Sequence, residues 1–279
     1  MKTLALFLLA VTSAQAAPPP GKHFQRLILV MLENTSYDEA IHQPFLSQLA
    51  QRGALLANYQ AVTHPSQPNY VALISGDTQG VSGDSNVNLN GRHIGDTLEE
   101  KGLDWRNYAE AYPGNCYLGS SRGTYARKHV PFLSFLNVQR NSARCAKVVD
   151  ASRFDADAAA GTLPAFSFYS PDLNNDGHDT NPAYADKWLK GKFEKLLADP
   201  AFMDGTLFAV TFDENDDVFG SGPNQVFAAL SGPMVRSGNT VNDPLNHYSL
   251  LKMIEENWQL TPLTGKDSAA ASVEGIWTN

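Results

Sequence analysis

The chain alternates short apolar runs with stretches whose apolar positions recur at helical spacing. Branched and aromatic side chains dominate the runs, as is typical of strands buried in a parallel sheet. The runs predict strands over residues 27–32, 54–62, 105–108, 165–169, 207–212 and 226–230. Helical spacing predicts helices over 45–52, 70–74, 94–101, 181–197 and 248–258. Strands that alternate with helices indicate an α/β fold, with a mostly parallel sheet covered on both faces.

The domain organisation follows from the ends of this pattern. Residues 1–16 combine a positive charge, a short apolar run and an A-x-A site, which is the pattern of a cleavable secretory signal peptide. The run is too short to span a bilayer, which takes ~20 apolar residues. We therefore expect a secreted or periplasmic protein without stable membrane insertion. Residues 17–25 are predicted to be a linker, and 26–279 a single domain with an insertion at about 113–150.

The charge balance excludes one class of partner. The chain has 21 Lys and Arg against 29 Asp and Glu, which gives a net charge of −8. Nucleic-acid binding requires clustered basic residues that displace counterions. No such cluster is evident, so we expect no nucleic-acid partner.

The chain has two cysteines, Cys116 and Cys145. In an oxidising compartment, two lone cysteines more often pair than stay free. We therefore predict a disulfide that closes part of the insertion. Two cysteines are too few for a Cys-rich zinc site.

Polar clusters follow four of the predicted strands at the point where each strand ends. They are Glu33-Asn34, Ser66, the segment 172–178 and Asp213-Glu214. Because ligands of open parallel sheets bind beyond the carboxyl ends of the strands, we expect these clusters to form one site. Oxygen-rich clusters suit a hard or borderline divalent cation. A single carboxylate after a strand is more often a helix cap, so the hypothesis depends on the recurrence.

Ser66 follows His64-Pro65 at a strand-to-helix junction, where a helix N-terminus favours an anion. On local sequence alone, a hydroxyl in this place is more often an N-cap. A bound cation changes that balance, because it can lower the pKa of a bound hydroxylic oxygen from ~16 to ~7. The helix itself contributes only ~1 kcal/mol. If Ser66 is a nucleophile, a metal ion must therefore be its main activator.

Six segments occur along the chain in order: LVMLENTSYDE, THPSQPNYVALISG, YARKHVP, DGHD, VTFDEND and NHYSLLKMIE. Together they resemble the phosphoesterase family of acid phosphatases and phospholipases C, over about residues 26–258. Within that family the chain is similar to the secreted bacterial acid phosphatases. The resemblance implies an alkaline-phosphatase-like three-layer sandwich, with a mostly parallel central sheet and helices on both faces. It also implies hydrolysis of phosphate esters that depends on a metal ion.

The resemblance implies roles for individual residues. Metal binding falls to Glu33, Asn34, Asp213 and Glu214, and Ser66 completes the shell as the nucleophile that forms a phosphoserine. The residues implied in substrate binding are His64, Asn69, Arg127, Lys128 and His129. His178 or His247 could protonate the leaving alkoxide or position water, and Asp176 lies in the same catalytic loop as His178.

The number of metal ions depends on one difference from the wider superfamily. In its two-metal members an Asp and two His hold a second ion, which Asp172, Asp176, His178 and His247 could supply here. This chain has Asp213-Glu214 where those relatives have Asp-His. One divalent ion of unknown identity is therefore expected, and a second is left open. The remaining histidines, His23, His42 and His93, have no polar neighbours in sequence and are expected at the surface.

Three functions are compatible with these residues. The first is a secreted, monomeric acid phosphatase that acts on a phosphorylated small molecule or a phospholipid headgroup. The second is a phospholipase C-type phosphodiesterase, which shares the nucleophile and metal but must accommodate a second ester group. The third is a non-catalytic calcium-binding extracellular module. Residues 172–177 match the start of an EF-hand loop, but Ala183 stands where that loop needs Glu.

Overall fold

A computed structural model describes residues 20–217 and 222–278 of the chain. The predicted signal peptide lies outside the described residues. The strands are β1 Arg26–Leu32, β2 Ala54–Leu56, β3 Tyr59–Gln60, β4 Trp105–Ala109, β5 Ser121–Arg122, β6 Tyr125–Ala126, β7 Val148–Asp150, β8 Phe166–Ser170, β9 Thr206–Phe212, β10 Ala228–Ser231, β11 Asn239–Val241 and β12 Leu245–Asn246. The α-helices are α1 Tyr37–Ile41, α2 Pro44–Arg52, α3 Ser66–Ser75, α4 Ile94–Glu100, α5 Leu136–Gln139, α6 Ser142–Cys145, α7 Ser152–Ala160, α8 Pro182–Leu197, α9 Pro200–Met203, α10 His247–Trp258 and α11 Gly265–Ala269.

The core is an eight-stranded sheet in the order β11-β2-β10-β9-β1-β8-β4-β7. All its pairings are parallel except the two that β10 makes, with β9 and with β2. The central strands β1, β8 and β9 are apolar along most of their length and buried, as expected for strands covered on both faces. The predicted mostly parallel α/β sheet is confirmed.

The helices form two groups that pack against the sheet. In one group α10 contacts α3 and α11, and in the other α2 contacts α1 and α8. The predicted strand over 54–62 is broken by a turn at residues 57–58 into β2 and β3. The predicted helix over 70–74 begins earlier, at Ser66. Among the described residues, none of the helices combines the length and the apolar character needed to cross a bilayer.

The described end of the predicted linker packs against the domain. The backbone N–H of Lys22 donates to the carbonyl of Asn257, whose side-chain amide donates to the carbonyl of Phe24. Phe24 is buried, and the ring of His23 stacks on Trp277 at 4.2 Å. Residues 21–25 are therefore part of the folded structure.

The predicted insertion contains β5, β6, two 3-10 turns at Arg127–His129 and Pro131–Ser134, and the short helices α5 and α6. The predicted disulfide between Cys116 and Cys145 is confirmed, with Cα atoms 5.6 Å apart. Beyond Cys145, β7 joins the edge of the main sheet. The insertion is thus a stapled segment whose end returns to the core.

The prediction that His93 lies at the surface is wrong. Its side chain is fully buried and caps α4, where Nδ1 accepts a hydrogen bond from the N–H of Gly95. The ring meets Trp105, Phe132 and Phe135 at centroid distances of 5.0–5.8 Å. Burial lowers its pKa to about 4. The aromatic neighbours come from distant segments, so the local sequence did not reveal them.

A buried pair of carboxyl groups lies between α10 and α11. Glu255 is 2% exposed, and neither of its oxygens has a hydrogen-bond partner among the described residues. Burial and the neighbouring carboxylate of Asp267 raise the pKa of Glu255 to about 9. Asp267 keeps its charge through hydrogen bonds from the N–H groups of Leu263 and Thr264. Glu255 is therefore protonated in the folded protein at neutral pH.

This pair predicts a pH-dependent stability. The pKa of Glu255 is higher in the folded state than its ordinary value of 4.5. Its contribution to the free energy of unfolding is therefore complete below pH 4.5 and is lost as the pH rises toward about 9. We expect Glu255→Gln to raise the thermal unfolding midpoint at about pH 8, by ~2–4 °C per 1 kcal/mol for a chain of this size. Near pH 4 the variant should match the wild type. Circular dichroism melts across this range test the expectation, with Glu256→Gln, an exposed neighbour, as the control.

Candidate active site

The central acidic groups are brought together by the register of β1 and β9. Leu32 pairs with Phe212 at the ends of these parallel strands, so Glu33 and Asp213 follow side by side. The N–H of Asp213 donates to the carbonyl of Leu32, and the N–H of Asn34 donates to Oδ1 of Asp213 at 3.1 Å. Asn34 has a φ of 49°, in the left-handed region that Asn adopts more readily than most residues.

Ser66 is the first residue of α3 and is 2% exposed. Its Oγ lies 3.0 Å from Oε2 of Glu33 and 3.1 Å from Oε1 of Glu214. A hydroxyl has one proton and can donate to only one of the two carboxylates at a time. The structure therefore brings the predicted nucleophile into direct contact with two of the predicted metal ligands.

Asn69 holds the loop that leads into Ser66. Its Oδ1 accepts from the N–H groups of Val62 and Thr63, and its Nδ2 donates to the carbonyls of Thr63 and Pro65. The side chain is fully buried. All of these contacts are within the protein, so we assign Asn69 a positioning role and do not retain it as a phosphate ligand.

His129 lies between two buried carboxylates. Its Nε2 is 3.3 Å from Oε1 of Glu33, and its Nδ1 is 3.1 Å from Oδ2 of Asp176. The ring stacks on Tyr70 at 5.1 Å, and the Tyr70 hydroxyl donates to the same Oε1 of Glu33. Sequence reasoning gave Tyr70 no role. Its position four residues after Ser66, on the same side of α3, is the signal that could have found it.

The charges in this group perturb one another. Burial alone would raise the pKa of Glu33, but the cationic ring of His129, with smaller effects from Lys128 and Tyr70, lowers it to about 2. Burial would lower the pKa of His129, but the carboxylates of Glu33 and Asp176 raise it to about 9. His129 is therefore held as a cation at neutral pH, in contact with the acidic centre.

The negative charges of Asp213 and Glu214 have fewer compensating contacts than that of Glu33. Oδ2 of Asp213 is buried and has no hydrogen-bond partner among the described residues. Burial, and then the charges of Glu33 and Glu214, raise its pKa well above its ordinary value. Glu214 is paired with Nδ1 of His64 at 2.5 Å. The centre therefore holds more carboxylate charge than its neighbours neutralise.

The donor set fits a hard divalent cation. Such ions prefer oxygen ligands, and the site offers a cluster of carboxylates, one oxygen of which has no hydrogen-bond partner among the described residues, next to a hydroxyl that two of them contact. Glu33, Glu214 and Ser66 could hold the ion, with Asp213 and Asn34 beside them. Across 20–217 and 222–278, no three His, Cys, Asp or Glu side chains form a preassembled shell. The excess of carboxylate charge and the Ser66 hydroxyl between two carboxylates are the features that indicate a cation.

Two consecutive basic residues have different positions. The guanidinium of Arg127 is buried and donates to the carbonyls of Leu118, Val87 and Leu133. These bonds tie the insertion together, so we do not retain Arg127 as a phosphate ligand. Lys128 is at the mouth of the site, where its Nζ lies 3.3 Å from Nε2 of His178.

The two candidate proton-donating histidines also differ. His247 is fully buried; its Nε2 donates to the carbonyl of Asp213, and its Nδ1 faces the hydroxyl of Tyr59. Burial lowers its pKa to about 4, so it orients the Asp213 segment as a neutral ring. His178 is partly exposed, and its Nδ1 lies 2.7 Å from Asp179. Of the two rings, that of His178 is the one that reaches the surface, where it could exchange a proton.

The four residues named for a second metal ion are not brought together. Asp172 accepts from the N–H groups of Asn174 and Asn175 and from the hydroxyl of Thr124, as in an Asx-turn. Asp176 faces His129, whereas His178 faces Lys128. With His247 bonded to the Asp213 carbonyl, this set does not form a second site among the described residues.

The chain is similar in sequence to known proteins. The sequence model of the Phosphoesterase family matches residues 39–261. A probable acid phosphatase of Kluyveromyces lactis is 38% identical over 271 residues, which cover 93% of this chain and 64% of the relative. A phosphatidylinositol-3-phosphatase of Mycobacterium tuberculosis is 34% identical over 280 residues, which cover 98% of this chain and 90% of the relative. The chain thus spans less than two thirds of the length of the yeast relative.

The fold has a counterpart among solved structures. A Vibrio parahaemolyticus protein of the alkaline phosphatase superfamily superposes with a TM-score of 0.63 at 13% identity, covering 92% of this chain and 73% of that one. At this level of identity the likeness shows the fold alone. The alkaline-phosphatase-like architecture predicted from the sequence is confirmed.

The buried carboxyl group of Asp213 is expected to lower the thermal stability of the protein when no cation is bound. With a chelator present at neutral pH, Asp213→Asn should unfold at a higher temperature than the wild type, because a neutral amide removes the cost of burying an ionisable carboxyl and its repulsion by Glu33 and Glu214. Differential scanning fluorimetry in EDTA measures the difference. The exposed Asp216→Asn, in the same loop, should leave the midpoint unchanged. An Asp213→Asn midpoint at or below that of the wild type would show that this carboxylate does not destabilise the fold.

Proposed function

The chain belongs to the phosphoesterase family, and from this premise we propose that it is a metal-dependent acid phosphatase that hydrolyses phosphate monoesters through a phosphoserine at Ser66. One observation carries the proposal: the Oγ of Ser66, at the N-terminus of α3, lies within 3.1 Å of both Glu33 and Glu214. The names of the yeast and mycobacterial relatives support the same reaction class. Acid activity is inferred from these relatives.

We propose that one divalent ion is held by Glu33, Glu214 and Ser66, with Asp213 and Asn34. When bound, such an ion supplies positive charge that favours the ionised hydroxyl and offsets the charge of the phosphoryl group. The unpartnered Oδ2 of Asp213 supports this assignment, because a buried carboxylate without a partner needs a counter-charge.

The chain's own residues account for the transfer. The Oγ of Ser66 forms a bond to phosphorus as the bond from phosphorus to the ester oxygen breaks. The Oγ proton passes to the contacting carboxylate of Glu214, whose pKa burial raises, and the departing ester oxygen takes a proton from His178. Water then attacks phosphorus as the bond from phosphorus to Oγ breaks, and its proton passes to His178. Oγ takes back the proton from Glu214, so inorganic phosphate is released and the hydroxyl is restored. Both displacements proceed with inversion, so the two together retain configuration at phosphorus.

Three cationic or titratable groups surround the position of the phosphate. Lys128 and His129 supply positive charge from one side, and His64 contacts Glu214 from another. His178 is the candidate that protonates the leaving alkoxide, because it is partly exposed and linked to both Lys128 and Asp179. Asp176 fixes this loop by accepting from the N–H of His178, in addition to facing His129.

The substrate class follows from the same chemistry. We propose a phosphorylated small molecule or a phospholipid headgroup, processed by an exported, monomeric enzyme without a nucleic-acid partner. The name of the mycobacterial relative, a phosphatidylinositol-3-phosphatase, supports the proposal that the substrate is a phosphate monoester on a lipid headgroup.

Removing the nucleophile tests the reaction directly. Ser66→Ala should lower kcat/KM for p-nitrophenyl phosphate by at least about a thousandfold, because Ser66 is the one hydroxyl among the described residues that contacts both carboxylates. The control is Ser75→Ala at the opposite end of α3, where the hydroxyl donates to the carbonyls of Val71 and Asp77. That variant should keep its activity.

Three outcomes would overturn the proposal. Full hydrolysis by Ser66→Ala would exclude a phosphoserine intermediate, and an inactive wild type that binds calcium would favour a non-catalytic module. Strong turnover of p-nitrophenylphosphorylcholine with little turnover of p-nitrophenyl phosphate would identify a phosphodiesterase of the phospholipase C type.

Metal removal tests the proposed cofactor. Dialysis against a chelator should abolish hydrolysis, and returning a single divalent metal should restore it. Elemental analysis of the purified protein should then find about one equivalent of that metal, and Asp213→Asn should reduce the content. A fully active preparation free of metal would contradict the assignment.

A further inference from the structure

Asp84 links two elements of the candidate site, although it lies in the loop between α3 and α4 outside every segment that carries the family resemblance. Its Oδ1 accepts a hydrogen bond from the N–H of Gln67 at 3.0 Å, directly after Ser66. Its Oδ2 accepts from Nζ of Lys128 at 2.9 Å, directly before His129. One carboxylate therefore connects the nucleophile helix to the basic side of the site.

Lys128 needs such a contact to stay where it is. Its side chain is 17% exposed, and its charge is favoured by Glu33, Asp84 and Asp213 despite burial. A flexible four-carbon stem carries this ammonium. Without a contact at the mouth, the uncompensated charge of the acidic centre would draw the ammonium toward Glu33 and Asp213. An ammonium in that place would compete with a bound cation.

We propose that Asp84 is a positioning residue, which fixes the Lys128 ammonium at the mouth of the site, where it binds the substrate phosphate, and keeps it away from the acidic centre. This inference rests on the proposed phosphatase function. Because Lys128 also contacts His178, the same placement sets the spacing between the phosphate-binding cation and the proposed proton donor.

A purely structural role for Asp84 is the competing explanation. The N-cap position of α3 is Pro65, which makes no side-chain capping bond, so Asp84 also satisfies a free N–H in the first turn. Substitution by Asn separates the two roles. Asn keeps a carbonyl oxygen that can accept from Gln67 but removes the charge that holds Lys128.

The test compares Asp84→Asn with the wild type in the full chain. We expect the KM for p-nitrophenyl phosphate and the Kd for inorganic phosphate to rise about tenfold, as when one charge-assisted hydrogen bond no longer holds the ammonium. The value of kcat should change less than KM. Asp84→Glu, which restores the charge, should recover part of the loss. The thermal midpoint of Asp84→Asn should stay close to that of the wild type.

A double-mutant cycle shows whether the effect passes through the ammonium. In a Lys128→Ala background, Asp84→Asn should cause no further loss of phosphate affinity. The matched control is Asp77→Asn in the same loop. Asp77 likewise bridges a backbone N–H, that of Gln79 at 2.7 Å, and a lysine, Lys266 at 2.7 Å, but it has no contact with the site residues.

The outcomes separate this inference from the proposed function. If the wild type hydrolyses the substrate while Asp84→Asn leaves KM and phosphate affinity unchanged, the inference alone is overturned. The same holds if the loss persists undiminished in the Lys128→Ala background, because Asp84 would then act through Gln67. A wild type that neither hydrolyses p-nitrophenyl phosphate nor binds inorganic phosphate in calorimetry overturns both.

Discussion

Two parallel strands that end in register place Glu33 and Asp213 side by side in the protein interior, and the rest of the site compensates for that concentration of negative charge. Tyr70 and His129 stabilise Glu33, and the N–H of Asn34 stabilises one oxygen of Asp213. The second oxygen of Asp213 has no hydrogen-bond partner in the part of the chain that the structure describes. Burying these carboxylates lowers the free energy of unfolding, and the large apolar sheet offsets that loss. A site of this kind is therefore built on the core and not on a loop alone.

The sequence predicted the parts of this site that depend on local order along the chain. An apolar run that stops at a carboxylate is visible without a structure, and it located Glu33, Asp213 and the parallel sheet that carries them. Ser66 was found in the same way, from a strand followed by a helix. The strand ends converge because parallel strands share one edge, so this part of the geometry follows from topology.

The contacts that the sequence does not reveal depend on partners from distant segments. Arg127, Lys128 and His129 are consecutive in one 3-10 turn, in which successive side chains point about 120° apart. Arg127 reaches loop carbonyls, Lys128 reaches Asp84 and His129 reaches the buried carboxylates. In the sequence all three are equally suited to bind phosphate. His93 and His247 were misjudged or left open for the same reason, since burial and hydrogen-bond commitments are tertiary properties.

The disulfide separates the site residues into two groups, those attached to the main sheet and those in the loop that it closes. Glu33, Asp213 and Ser66 are attached to the main sheet and to α3, whereas Lys128 and His129 lie within the loop that Cys116 and Cys145 close. A thiol-rich environment reduces such bonds, and an oxidising one keeps them. Reduction of the bond would act first on Lys128 and His129, and it would reach Glu33 only through the contact that His129 makes with it. Through this one bond, the redox state of the compartment in which the chain matures would act on the residues that we propose to bind the phosphate.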